Sequence, residues 1–320
     1  MKNIVHQLFL LIKTARPKQW LKNLAIYASL IFSGFFFFKP ADGHPYFYSV
    51  TYAFIIFCLL TSATYILNDL IDIKADRKHP FKKYRPLASG ELAIPVAIFA
   101  IVFCLALVFW LSLPLPLVFK LLIFAYLILQ IVYSLYLKQI AILDIISIAG
   151  GFLIRVYAGA VVVNLHMSVW FLLTVISMSL FLAVGKRQSE RTLMTEHKLS
   201  FVRKSLDTYS ARLLDQYTSI FATSTWITYA LFAFQNSPGD GLNLLYEHFP
   251  NLAIDLPRTL QSQKLLMLTL PFVIFGIMRY LQLVYEENRG EAPVDVLLKD
   301  KTLLLTVFLW FLGVMFVIYA

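Results

Sequence analysis

Long apolar runs separated by short polar breaks recur along the whole chain, and nine of them approach the length that crosses about 30 Å of hydrocarbon. They cover residues 23 to 38, 48 to 67, 92 to 113, 115 to 135, 141 to 163, 168 to 184, 217 to 234, 264 to 285 and 302 to 319. Lipid offers the backbone no hydrogen-bond partners, so each run is read as an α-helix. The expected fold class is all-α, a polytopic membrane bundle of about nine helices. Residues 1 to 22 stand apart. Their apolar core, Ile4 to Ile12, is short, and Lys13, Arg16 and Lys18 follow it without a small-residue cleavage pattern. That predicts an interfacial amphipathic helix broken at Pro17 rather than a secretory signal, with Trp20 at headgroup depth and Lys18 and Lys22 toward anions.

Residues 23 to 320 are expected to form a single bundle, without the inverted repeats of a secondary transporter. Two long connections, 68 to 91 and 185 to 216, continue polar from apolar helices. They read either as helices that protrude and cap a shared cavity or as solvated surface.

Composition excludes a soluble domain: of 320 residues 59% are hydrophobic and 14% charged, with a mean hydropathy of +0.73. Lys74, Arg77, Lys78, Lys82, Lys83 and Arg85 crowd one connection, and Lys186, Arg187, Arg191, Lys198, Arg203, Lys204 and Arg212 crowd another. The intervening loops near Asp42, Pro114 and Asn164 are nearly free of basic residues, which predicts a cytoplasmic N-terminus and an outside C-terminus. A formal charge of +10 concentrated on one face suits anionic headgroups and phosphorylated substrates, although positive-inside bias alone explains much of it. Cys58 and Cys104 read as small buried hydrophobes, and His6, His79, His166, His197 and His248 are too scattered for a metal site. Asp207 and Asp215 read as solvated acids.

The candidate chemistry sits where the second apolar run meets the first basic connection. Asn68, Asp69, Asp72 and Asp76 form an N-D-x-x-D-x-x-x-D row. Two helical faces are open: Asn68, Asp72 and Asp76 at steps of four, or Asp69, Asp72 and Asp76 at steps of three and four. Either presents hard oxygens to Mg²⁺, which takes few protein ligands and completes its shell with phosphate. The alternative is a solvated helix end whose acids pair with Lys74, Arg77 and Lys78. Arg155 lies mid-span, about three turns beyond Asp144 on the same face with Ser147 and Gly151 between. A charge at that depth implies a phosphate or ribose contact, or a pairing with Asp144 that locks two helices. Tyr65 shares the face of Asn68 and either lines the site or is an interfacial aromatic.

The acidic row, followed by Arg77-Lys78-His79-Pro80-Phe81-Lys82-Lys83-Tyr84-Arg85-Pro86-Leu87-Ala88-Ser89-Gly90, resembles the first aspartate-rich motif of the UbiA superfamily of intramembrane prenyltransferases. Tyr133-Ser134-Leu135-Tyr136-Leu137-Lys138 resembles its Y-S-x-x-L-K element. The second acidic pair of its aromatic prenyltransferases is missing, since Asp144 is followed four positions later by Ile148. That loss is shared by the decaprenyl-phosphate phosphoribosyltransferase branch. Arg16-Pro17-Lys18-Gln19-Trp20-Leu21-Lys22-Asn23, Gly185-Lys186-Arg187 with Glu190, Arg279-Tyr280, and Gly290-Glu291-Ala292-Pro293 with Asp295, Leu298 and Asp300 are similar to that branch's patterns. Gln188 and Ser189 depart from it.

The resemblance implies transfer of 5-phosphoribose from 5-phosphoribosyl 1-diphosphate to a polyprenyl phosphate such as decaprenyl phosphate, with release of diphosphate. It further implies a bacterial cytoplasmic membrane, a site facing the cytoplasm and a product used as arabinose donor for cell-envelope glycans. Under it Asn68, Asp72 and Asp76 hold Mg²⁺ and, with Lys138, carry the chemistry. Lys22, Tyr65, Asp69, Lys82, Lys83, Arg85, Tyr133, Asp144, Arg155, Lys186 and Arg187 contact substrate. No nucleic acid partner is expected, and homo-oligomerisation is left open. The rival readings are an aromatic prenyltransferase of quinone synthesis and a transporter with a cation site.

Overall fold

The computed structural model describes residues 2–41, 43–78, 82–196, 204–236, 264–287 and 293–319. Among these it contains helices and turns and no strand. His79, Pro80 and Phe81 of the basic stretch, His197, Lys198, Arg203, His248 and Gly290 to Ala292 lie outside the described residues, as does Asp42.

The chain begins with α1 (Lys2–Ala15), a 3-10 segment (Pro17–Tyr27) and α2 (Ala28–Phe32). Then follow α3 (Tyr46–Ile71), α4 (Ile73–Lys78), a 3-10 turn (Lys82–Tyr84), α5 (Pro86–Ser89), α6 (Ile94–Ser112) and α7 (Leu117–Leu135). A 3-10 turn (Leu137–Gln139) leads to α8 (Leu143–Val162), α9 (Val169–Glu196), α10 (Lys204–Thr208) and α11 (Ala211–Gln235). After a 3-10 turn (Leu265–Thr269) come α12 (Leu270–Tyr285), α13 (Pro293–Lys299) and α14 (Lys301–Tyr319).

Seven helical segments among the described residues are long and apolar enough to cross a membrane, so the chain is an integral membrane protein. They are Tyr46–Ile71, Ile94–Ser112, Leu117–Leu135, Leu143–Val162, Val169–Thr192, Leu265–Tyr285 and Lys301–Tyr319. Two of the nine expected spans differ. The run 23 to 38 is divided between the 3-10 segment and the five-residue α2, and Gly34 turns with φ 80° beyond it. The run 217 to 234 lies within α11, whose hydroxyl residues keep it out of the apolar set. Thr218, Thr225 and Thr228 donate back to the carbonyls of Leu214, Phe221 and Ser224, so these hydroxyls are satisfied by their own helix.

The described residues group into two compact units. The first comprises Met1–Leu30, Phe37–Leu165 and Ser200–Thr208. Its core helix is α3, buried over 61% of its most apolar window against 17% for α7. Ile56, Phe57, Leu60, Ala63 and Ile66 line its buried faces, and the Phe57 ring meets Phe119 and Tyr126 edge-on at 6.0 and 5.7 Å. The 3-10 segment packs backbone to backbone on α8: a Cβ at Gly159 would stand 1.9 Å from the carbonyl oxygen of Ile26. Gly159→Ala is therefore expected to cost about 2–3 kcal/mol, read as a lower thermal unfolding midpoint in detergent.

At the N-terminus α1 is amphipathic and ends ahead of Pro17. It buries Leu10 and Thr14, while Val5, Leu8, Phe9 and Ile12 face outward. The second unit comprises Ile31–Phe36, His166–Leu199 and Tyr209–Ala320. Phe181, Ala222, Ile277, Tyr280, Leu283 and Leu303 form a core there.

Candidate active site

The last two turns of α3 carry Tyr65, Asn68 and Asp69; the helix stops at Ile71, and Asp72 (φ −86°, ψ 1°) bridges to α4. The Asp72 N–H donates to the Asn68 carbonyl at 3.0 Å and the Asp76 N–H to the Asp72 carbonyl at 2.8 Å. Spacing by four thus survives the interruption, and Asn68, Asp72 and Asp76 follow one another turn by turn.

Cations from far along the chain meet these acids. Asp69, 3% exposed, accepts from Arg16 Nη2 at 2.6 Å and from Arg85 Nη1 at 3.1 Å. The same Arg85 nitrogen reaches Asp76 Oδ2 at 2.7 Å. Lys138, 6% exposed, donates to Asp72 Oδ1, and Ser134 Oγ donates to Asn68 Oδ1 at 2.9 Å. The end of α7 and the turn after it are thereby closed over the end of α3. Ser205 of α10 donates to the Lys138 carbonyl at 3.0 Å, which fastens that turn from a third side. The acids take their cations from Arg16, Arg85 and Lys138 rather than from Lys74, Arg77 and Lys78. Arg77 instead donates to the Ala88 carbonyl at 3.0 Å.

Local chemistry explains how the cations are presented. Arg85 is the extended residue ahead of α5, with Pro86 at the first helical position and Gly90 (φ 85°) closing that helix. Arg16 adopts the left-handed conformation (φ 55°, ψ 62°) between α1 and Pro17, and its guanidinium lies 5.3 Å from the Tyr65 ring centroid. Burial pushes the Asp76 carboxyl up from its ordinary value, opposed by Arg85 and more weakly by Lys82.

Of the other expected residues, Lys22, Lys82 and Tyr133 are half-buried. Lys83 is exposed, with its ammonium 5.0 Å from the Tyr84 ring centroid. Asp144 is fully buried in the first turn of α8, just after Ile142 at a φ of 71°. Arg155, 4% exposed, does not pair with Asp144: it donates to Asn23 Oδ1, the Gly151 carbonyl and the Tyr126 hydroxyl at 2.7–2.8 Å. In the second unit Lys186 is half-buried, and Arg187 is fully buried and paired with Glu190 one turn on. Asp215, read as solvated, instead accepts from Gln188 Nε2 at 3.2 Å and the Tyr285 hydroxyl at 2.9 Å.

Arg16, Asn23, Tyr126 and Ser134 were missed as site or support residues. The signal in the sequence was membership of the family-like stretches, Arg16 to Asn23 for the first two and Tyr133 to Lys138 for Ser134, while Tyr126 had none.

Among the described residues no three His, Cys, Asp or Glu side chains gather as a ligand set. The row supplies the amide oxygen of Asn68 and the carboxylates of Asp72 and Asp76, with Asp69 held by Arg16 and Arg85. Such a hard-oxygen set fits Mg²⁺ as part of a shell that phosphate oxygens complete.

Residues 28–246 match the profile of the UbiA prenyltransferase family. The chain belongs to this family. Within the UbiA family it is 34% identical to the decaprenyl-phosphate phosphoribosyltransferase of Mycolicibacterium smegmatis, over 97% of this chain and 91% of that one. It is 33% identical to the enzyme of the same name from Corynebacterium glutamicum, over 97% and 86%. In fold it is similar to a UbiA homolog from Archaeoglobus fulgidus solved with GPP and Mg²⁺, with a TM-score of 0.67 at 17% identity, covering 97% of this chain and 99% of that one.

Proposed function

We propose that this UbiA-family protein transfers 5-phosphoribose from 5-phosphoribosyl 1-diphosphate to a polyprenyl phosphate, decaprenyl phosphate among them, and releases diphosphate. The observation that carries the reading is the likeness to decaprenyl-phosphate phosphoribosyltransferases along nearly the whole chain. The acid and cation cluster supplies chemistry suited to it. The bond between the anomeric carbon and the diphosphate breaks, its electron pair leaves with diphosphate, and a lipid phosphate oxygen forms the new bond to that carbon. The lipid phosphate is anionic near neutral pH, so the step needs no strong general base.

Asn68, Asp72 and Asp76 would hold Mg²⁺, and the ion would supply charge neutralisation for the leaving diphosphate. Arg85 and Lys82 flank Asp76, and Lys138 faces Asp72, so each of these cations stands where phosphate oxygens approach the acids. Lys22 and Arg16 enter from the N-terminal segment. The site faces the cytoplasm of a bacterial inner membrane, on the side where Lys and Arg concentrate, and the product serves as an arabinose donor for envelope glycans.

Mass spectrometry of lipids formed by purified protein tests this. With Mg²⁺, phosphoribosyl diphosphate and mixed polyprenyl phosphates, the expected product is a polyprenyl-phosphoryl 5-phosphoribose. A prenylated aromatic acid formed from prenyl diphosphate, with no phosphoribosyl lipid, overturns the reading in favour of an aromatic prenyltransferase.

A further inference from the structure

The 3-10 segment Pro17–Tyr27 runs for eleven residues, whereas such helices ordinarily stop after about three or four because side chains eclipse and hydrogen bonds are poorly aligned. Contacts from outside hold it. Trp20 Nε1 donates to Ser62 Oγ at 3.0 Å. Asn23, fully buried, donates through Nδ2 to Thr61 Oγ1 at 3.2 Å and Cys58 Sγ at 3.4 Å, and its Oδ1 accepts from Arg155 Nε at 2.8 Å. Ile26 lays its carbonyl on Gly159, one helical turn beyond Arg155. Trp20, Asn23 and Ile26 are three apart, so a winding of three residues per turn places all of them in one column facing α3 and α8.

The same winding has a second result. At three residues per turn Gln19 and Lys22 share another column, and the Gln19 N–H donates back at 2.9 Å to the carbonyl of Arg16, the left-handed residue immediately ahead of the segment. An α-helical winding would rotate Lys22 about 60° away from Gln19. Arg16 bonds Asp69 and heads the segment, so the winding sets the direction in which Lys22, six positions on, leaves it. Arg155 is suited to fixing this register. Its nitrogens are spent on an amide oxygen, a carbonyl and a hydroxyl, with Tyr126 and Phe152 ring centroids 4.9 and 5.4 Å away.

We propose that Asn23 and Arg155 are positioning residues that hold the 3-10 winding and so present Lys22, beside Arg16, to a phosphate group of the bound substrate. This rests on the phosphoribosyl transfer described above. Full-length Lys22→Ala, Asn23→Ala, Asn23→Asp and the double variant K22A/N23A are assayed with varied phosphoribosyl diphosphate and polyprenyl phosphate. Asn23→Ala is expected to raise by about tenfold the KM for whichever substrate Lys22→Ala affects, with kcat within about twofold. The double variant is expected to be no worse than Lys22→Ala alone, because Asn23 acts through Lys22. Asn23→Asp, which keeps an oxygen for Arg155 Nε, should restore most of the affinity. Hydrogen exchange without substrate provides a separate readout: amides of residues 18–27 should exchange faster in Asn23→Ala and unchanged in Lys22→Ala.

Multiplying effects in the double variant, or unaltered exchange in Asn23→Ala, overturn the proposal. If Asn23→Ala does not fold, Trp20→Phe, which removes the bond to Ser62, takes its place with the same expected pattern. Absence of any phosphoribosyl lipid from the unsubstituted protein refutes the transfer reading, and the exchange comparison still decides the positioning role.

Discussion

Asp72→Asn lowers the transfer rate by about a hundred- to a thousandfold while the protein remains folded: this is the expected result for a carboxylate that works through its charge. Asparagine keeps the size of the side chain and an oxygen facing Lys138. The substitution therefore removes one negative charge from the row without opening a gap. Asp72 also stands between the other two members, linked to Asn68 and Asp76 by successive backbone hydrogen bonds, so no neighbour takes over its place. Lys138→Met is expected to act in the same direction, because it withdraws the nearly buried ammonium that faces Asp72. Initial rates of lipid-linked phosphoribose formation at fixed Mg²⁺, alongside thermal unfolding, check this. A variant at position 72 with the full metal-dependent rate would show that the row does not handle the diphosphate.

Arg85→Met is expected to have the largest effect on stability. One guanidinium nitrogen serves both Asp69 and Asp76, whose side chains are 3% and 7% exposed. Methionine preserves much of the aliphatic stem and leaves Asp76 without its ion-pair partner, while Asp69 keeps Arg16. Removing one partner of a buried pair costs about 3–5 kcal/mol. The lower end applies, since a quarter of the Arg85 side chain meets solvent and about 3 kcal/mol is the appropriate expectation. Burial already raises the Asp76 carboxyl, and loss of its opposing cation should raise it further. Adding Asp76→Asn should recover most of the loss by removing the charge left unpaired. Unfolding midpoints of the single and double variants in one detergent measure this. Equal midpoints for Arg85→Met and the unsubstituted protein would mean that the bridge contributes nothing.

The acidic row could be located in the sequence because its information is local: four oxygen-bearing side chains within nine positions at the end of an apolar run. Which cation meets which acid could not, although the motifs had put Arg85 and Lys138 in the site. Arg16 is 53 positions from Asp69, Lys138 is 66 from Asp72, and Arg155 is 132 from Asn23. Spacing carries nothing about such meetings. The local alternative, pairing with Lys74, Arg77 and Lys78, failed: Lys74 and Lys78 are exposed, and Arg77 turns to the Ala88 carbonyl.

Apolar length and continuity alone determined that this is a helical membrane protein, and the motifs placed it in its family. Both depend on transfer of side chains from water to lipid and on residues close together in the chain. Which cation faces which acid, and the division of the first expected span into a 3-10 segment and a short helix, were decided by tertiary structure. A 3-10 winding is locally unfavourable over eleven residues, and it persists here because Gly159, Arg155, Thr61 and Ser62 meet it from helices distant in sequence.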